Sequence, residues 1–322
     1  VKNFTLLKIM MGLFCLFATI PAQAVTYELV SIGNPGNAND TTGFGSVSYT
    51  YQIGKYEVTI GQYTEFLNAV ATTDPYSLYN ASMAAIPNVA GISRSGSSGS
   101  YSYSVINNSG SSANRPITNI SWFNAARFTN WMANGQPSGI QNSSTTENGA
   151  YPLNGAISGL AVVKNTLNPN TGSAPTFYIP LENEWYKAAY YNPTLNNAAG
   201  AYTAYATQSD TTPENLVGNT PNQVNYISDA TGYSVTQSPN FSTTQNYLTD
   251  VGAFTGSGSY YGTFDQNGNV WEWNDLDGTA SASRGLRGGA YTSTSPYLRS
   301  SFRMGYAPDR YNANGGFRLA SP

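Results

Sequence analysis

The chain has no histidine, and its only cysteine is Cys15. A lone thiol cannot form an intrachain disulfide, and without histidine a Ser-His-Asp triad, a Cys-His pair and a two-histidine iron site are all excluded. Zinc, haem and copper lose their customary nitrogen and thiolate ligands. Charge is also scarce: 14 Lys and Arg stand against 17 Asp and Glu among 322 residues, with no basic cluster. That balance argues against a nucleic-acid partner or an anionic membrane surface. What remains for metal chemistry is oxygen from Asp, Glu, Asn and backbone carbonyls, the donor set that suits calcium.

Long apolar runs are absent except near the start. Lys2 and Lys8 flank a short basic region, residues 9–20 are almost entirely apolar, and Ala22-Gln23-Ala24 has the small-residue pattern of a cleavage site. Residues 1–24 are expected to be a signal peptide, because the run is too short to span a bilayer. The remaining residues, 25–322, then form one exported domain, whether periplasmic, cell-surface or secreted, with no membrane span after cleavage. Asn, Ser, Thr, Gly and Tyr must build its surface, a composition common in adaptable binding faces.

Local patterns outline the elements. Residues 25–55 alternate apolar and polar groups around Tyr27, Leu29, Val47, Tyr49, Tyr51 and Ile53, as strands do. Thr59 with Gln62 forms a capping box ahead of Tyr63, Phe66, Leu67 and Val70 at helical spacing. Ser121 caps a second helix ended by Gly135 and Pro137, and a third starts near Leu181 with Glu182 and Glu184 in its first turn. Residues 72–114 show no lasting period and are expected to form a long surface loop, either a binding edge or a tolerated insertion. After Asn192 turns and short strands should dominate. No repeat or linker divides the chain.

Several segments carry a resemblance, in order. Lys55-Tyr56-Glu57-Val58-Thr59, Pro116 with Ser121-Trp122, Pro180-Leu181-Glu182-Asn183-Glu184-Trp185, Gly268-Asn269-Val270-Trp271-Glu272-Trp273, Arg287-Gly288-Gly289 with Arg299 and Arg303, and the closing Gly316-Phe317-Arg318 follow one another. This series resembles the formylglycine-generating enzyme (sulfatase-modifying factor) family. The resemblance implies an α+β, C-type-lectin-like fold: a single compact domain with about three helices, short antiparallel strands and much irregular structure.

It also implies where chemistry would lie. The family's enzymes hold copper(I) on two cysteines and oxidise a sulfatase cysteine to formylglycine, and those two positions fall on Ser295 and Ser300. A hydroxyl is a hard, poor ligand for a soft ion, so no copper is expected and the chain reads as a pseudoenzyme. A family calcium site falls on Asp265, Gly268, Val270 and Glu272, and a second on Asn225 and Tyr226, where no downstream Asp can be placed. The alternative for Asp265 and Glu272 is turn capping and a salt bridge to an arginine such as Arg287. Trp271 and Trp273 read as core aromatics.

Two functions follow, with a matrix component as a third. One is a calcium-stabilised binding or structural module for an unknown protein or glycan. Its contact candidates are Tyr291, Thr292, Ser293, Thr294, Tyr297, Tyr306, Asp309, Tyr311 and Asn312, in a tail that resembles the variable region of diversified lectin-fold proteins. The other is an enzyme of altered chemistry working through Glu182, Glu184 or Asp309.

Overall fold

The computed structural model describes residues 24–322. Of the expected signal peptide, residues 1–24, all but Ala24 lie outside the described residues. Three helices carry the interior: α1 (Ile60–Val70), α2 (Trp122–Ala133) and α3 (Glu182–Tyr190). None of the described helices is long and apolar enough to cross a membrane. Each starts where the sequence supplies an acceptor for its free N–H groups. Gln62 N donates to Thr59 Oγ1 at 3.2 Å and Thr59 N to Gln62 Oε1 at 2.9 Å, closing the box ahead of α1. Ser121 and Asn124 repeat the device at α2, and Leu181 N donates to Glu184 Oε2 at 2.7 Å at α3.

The main strands are β1 (Leu29–Ile32), β2 (Tyr51–Gly54), β3 (Ile92–Ser95), β4 (Ser102–Val105), β5 (Trp271–Asn274), β6 (Arg284–Arg287), β7 (Met304–Tyr306), β8 (Gly315–Phe317) and β9 (Ala320–Ser321). One sheet has the order β1-β2-β9, all antiparallel, and the other β7-β6-β5-β8, in which only β5 and β8 run parallel. β8 and β9 are nearly consecutive yet belong to different sheets, so Arg318 and Leu319 sit at the joint. All twelve residues of α2 are buried. Phe128 meets Phe317 edge-on at 5.5 Å, and Tyr63 stacks on Phe128 at 5.9 Å, joining both long helices to the joint. Such pairs add about 0.5–1.5 kcal/mol each beyond the area they bury.

Residues 72–114 are not a surface loop. Leu78, Met83, Ile92 and Tyr103 belong to the main core, and β3 and β4 form a hairpin against α1. The Ser-Tyr alternation over residues 100–104 is a period-two strand signal in which the rings replace aliphatic residues. Tyr103 turns inward and its hydroxyl donates to the Ala71 carbonyl at 2.8 Å, while Ser102 and Ser104 face solvent.

Removing the α2 cap with Ser121→Ala should cost about 0.5–2 kcal/mol, read as a lower urea midpoint with an unchanged slope.

Candidate functional site

Three stretches of chain meet in a buried acid cluster: Glu57 just after β2, residues 265–272 leading into β5, and Arg318 at the sheet joint. β5 is paired on both sides, so Glu272 is 0 % exposed. Arg318 donates to both its oxygens, Nε to Oε2 at 2.6 Å and Nη2 to Oε1 at 2.7 Å, and Trp185 Nε1 adds a third bond at 2.8 Å. The other guanidinium donors reach the carbonyls of Gly54, Lys55 and Phe264. The arginine partner of Glu272 is therefore Arg318. Arg287 instead pairs with Glu182, which also takes Arg303.

Glu57 and Asp265 are left over. Glu57 is 1 % exposed, and neither of its carboxylate oxygens has a hydrogen-bond partner. Asp265, in the left-handed region at φ 60°, accepts the Gly252 N–H at 2.5 Å. Burial and then the charge of Asp265 push Glu57 well above the usual carboxylate range. Burial likewise pushes Asp265 up to about 6, against the opposing pull of the Gly252 N–H and Arg318. Three carboxylates thus share one guanidinium, and an unpaired buried carboxylate is costly unless it is protonated or meets a cation.

Oxygen donors are the kind that a hard divalent cation takes. Glu272 is turned to Arg318, and no group of three acidic side chains among the described residues is placed to hold a metal ion. The Gly268 and Val270 carbonyls would have to complete a shell begun by Glu57 and Asp265. Gly268 keeps this turn possible: its φ is 79°, and a Cβ there would lie 2.2 Å from the Asn225 carbonyl oxygen. Sequence reasoning missed Glu57 as a site residue. Its signal was a lone acid between Tyr56 and Val58, directly ahead of a helix cap.

Around Asn225 and Tyr226 the contacts are those of an amide network. Asn225 Nδ2 donates to the Tyr247 carbonyl at 2.9 Å and to Asn269 Oδ1 at 3.2 Å. Asn215 Nδ2 bridges the Tyr226 and Gly232 carbonyls at 3.1 and 2.7 Å.

Ser295 opens a 3₁₀ turn, and Ser300 is buried, its N–H on the Ala204 carbonyl and its own carbonyl accepting from Arg287. A nearby cavity of about 360 Å³ is lined by Phe44, Glu182, Asn183, Asp277, Thr279 and Arg303 among others, but by neither serine. Glu182 is spent on two arginines. Glu184 accepts from Tyr49, Tyr178 and the Leu181 N–H.

The tail divides. Tyr291 is interior, stacked on Tyr247 at 5.8 Å, and Ser293 is buried with its hydroxyl accepting the Ala290 N–H at 3.0 Å. Neither can serve as a surface contact, because both are buried. Asn312 caps a turn, its Oδ1 accepting from Asn314 N at 2.9 Å. Tyr297 and Tyr311 are 42 % and 38 % exposed, with Tyr306 and Asp309 partly so. Tyr297 packs edge-on against Phe302, which lies beside Trp271.

Residues 39–322 match the family described as Sulfatase-modifying factor enzyme 1-like domain. Among solved structures the chain is similar to Treponema denticola variable protein 1, at 17% identity and TM-score 0.51 over 93% of this chain and 96% of that one. It is also similar to CarF, at 18% identity and TM-score 0.52 over 93% and 99%. At these identities the likeness shows the fold. No curated protein matches the chain.

The raised carboxylates give a pH signature in chelator. A folded-state value above the unfolded one means that stability is full below the unfolded value and is lost as pH rises through the folded one. The window opens near 3.8 for Asp265 and 4.5 for Glu57; it closes at about 6 for Asp265, and for Glu57 well above the usual carboxylate range. The melting temperature of the native protein relative to Glu57→Gln should therefore fall as pH rises through this window; a constant difference contradicts the assignment.

Proposed function

Because the chain belongs to the sulfatase-modifying factor enzyme 1-like domain family yet carries no cysteine beyond Cys15, we propose that it is an exported binding module on a calcium-braced scaffold. The missing thiols carry this reading. Copper(I) requires soft ligands, and neither thiolate nor imidazole is available to the domain. The hard oxygen set at Glu57, Asp265, Gly268 and Val270 supports calcium as a structural ion, neutralising two buried carboxylates and fixing the turn into β5. Bound there, the ion supplies charge balance and no reaction step.

The binding face is the outer part of the tail. Tyr297, Tyr306 and Tyr311 give rigid amphipathic area at low entropic cost, and Asp309 adds a hydrogen-bonding group, the composition of adaptable contact surfaces. A glycan or a protein would meet the same face. The engagement of Glu182 and Glu184 with arginines, tyrosines and a backbone amide supports binding over carboxylate catalysis.

Three measurements test this reading. With copper(I), oxygen and a cysteine peptide of sulfatase type, no oxygen uptake should occur; sustained uptake with thiol loss would replace the module with an enzyme. Calcium at a hundredfold excess over its dissociation constant should add about 2.7 kcal/mol, seen as a higher melting temperature than in chelator, and Glu57→Gln should abolish the difference. On an array of glycans and secreted proteins, Tyr297→Ala and Tyr311→Ala should each weaken a hit by roughly tenfold.

A further inference from the structure

Among the described residues, anchoring of the entering strand begins at Val25. Gln136 Oε1 accepts the Val25 N–H at 2.6 Å, and Gln136 Nε2 returns a bond to the Val25 carbonyl at 2.8 Å. Gln62 Nε2 then holds the Thr26 carbonyl at 2.8 Å. The Tyr27 hydroxyl donates to the Tyr56 carbonyl at 3.0 Å and accepts the Leu319 N–H at 2.9 Å, and Glu28 pairs with Lys55 at 2.8 Å. One residue earlier, Ala24 is exposed and makes no hydrogen bond to another described residue.

The clamp residue is itself held under strain. Gln136 lies just beyond α2 at φ 61°, a left-handed region that non-glycine residues rarely adopt, with its N–H on the Trp131 carbonyl at 2.9 Å. Its amide is thereby fixed as a one-residue strand partner for Val25. Beside the clamp, Ala24 and Val25 line a cavity of about 710 Å³ whose exposed acids are Glu28 and Glu65. Lys55, the nearby cation, is paired with Glu28.

The small-residue motif Ala22-Gln23-Ala24 ends at the bond where anchoring starts. We infer that the Ala24–Val25 peptide bond is a processing site and that Gln136 is the receptor for the α-ammonium that processing creates. A signal-type endopeptidase adds water across the bond. The C–N bond breaks, Ala24 leaves as a carboxylate, and Val25 keeps the nitrogen as an ammonium. A peptide nitrogen has one donor, whereas the ammonium has three and a positive charge. One donor stays on Gln136 Oε1 as a charge-assisted bond, roughly twice as strong as a neutral one, and the others face the acidic cavity. Processing therefore tightens the fold. The inference rests on the export reading only for the source of the peptidase.

The test has two arms. When the full chain is produced in a secreting bacterium, the exported protein should begin at Val25; a different first residue, or an intact leader, overturns the processing site. Processed protein should then melt about 2–4 °C higher than the unprocessed full chain. That difference should vanish in Gln136→Leu and persist or grow in Gln136→Glu, which places a full charge at the accepting atom. Equal melting of the two native forms, or an unchanged difference in Gln136→Leu, overturns the clamp. If the cell does not export the chain, cleavage by purified signal peptidase supplies the processed form, so the export reading and the clamp fail separately.

Discussion

The bidentate contact between Glu272 and Arg318, fully buried, is the constraint on which the rest of the structure depends. It lies at the joint where β8 passes into β9, and so it fastens one sheet to the other. Trp185 brings α3 to the same carboxylate, and the spare donors of Arg318 hold the carbonyls of Gly54, Lys55 and Phe264. A fold with so much irregular backbone needs such cross-links, because buried carbonyls must find partners. Arg127 with Glu147 and Arg284 with Asp275 repeat the device elsewhere in the interior. Charge is thus drawn inward from a chain that has little of it, and the surface is left to Tyr, Asn, Ser and Thr.

The same pairing leaves the local charge unbalanced. Once Glu272 has taken Arg318, Glu57 and Asp265 have no cation of their own, and burial holds both toward the protonated form. A divalent ion would relieve that cost. The acid cluster and the tail lie at two ends of one strand system: β5 begins at the cluster, and its partner β6 leads through Gly288 and Gly289 into the tail. A partner on the tail would meet a surface whose geometry is set from inside.

Much of this was legible in the residues. The first two helices start at their capping residues, because a cap is a local bargain between a side chain and the next few N–H groups, and the third starts at Leu181, whose N–H is held by Glu184. The β3–β4 hairpin was not legible, since tyrosine and serine alternate there without the aliphatic residues that mark a buried strand. The family match at residues 39–322 bears out the segments from Lys55 to Arg318. Which arginine meets Glu272 depends on tertiary distance: Arg287 lies nearer in sequence, and Arg318 reaches it through the parallel pairing of β8 with β5. Glu57 carried no motif spacing to the β5 turn and emerged only when its oxygens proved orphaned. In the tail, composition marked a polar stretch but could not separate Tyr291, which stacks inside, from Tyr297, which does not.

A double-mutant cycle on Glu272 and Arg318 tests the central claim most directly. Urea unfolding of Glu272→Gln and Arg318→Met, each compared with the native chain, should show losses of about 3–5 kcal/mol, because each leaves a buried charged group without its partner. The double variant should lose markedly less than the sum of the two. Losses that add within about 0.5 kcal/mol would mean that the pair is two independent residues and that the sheets are joined by something else.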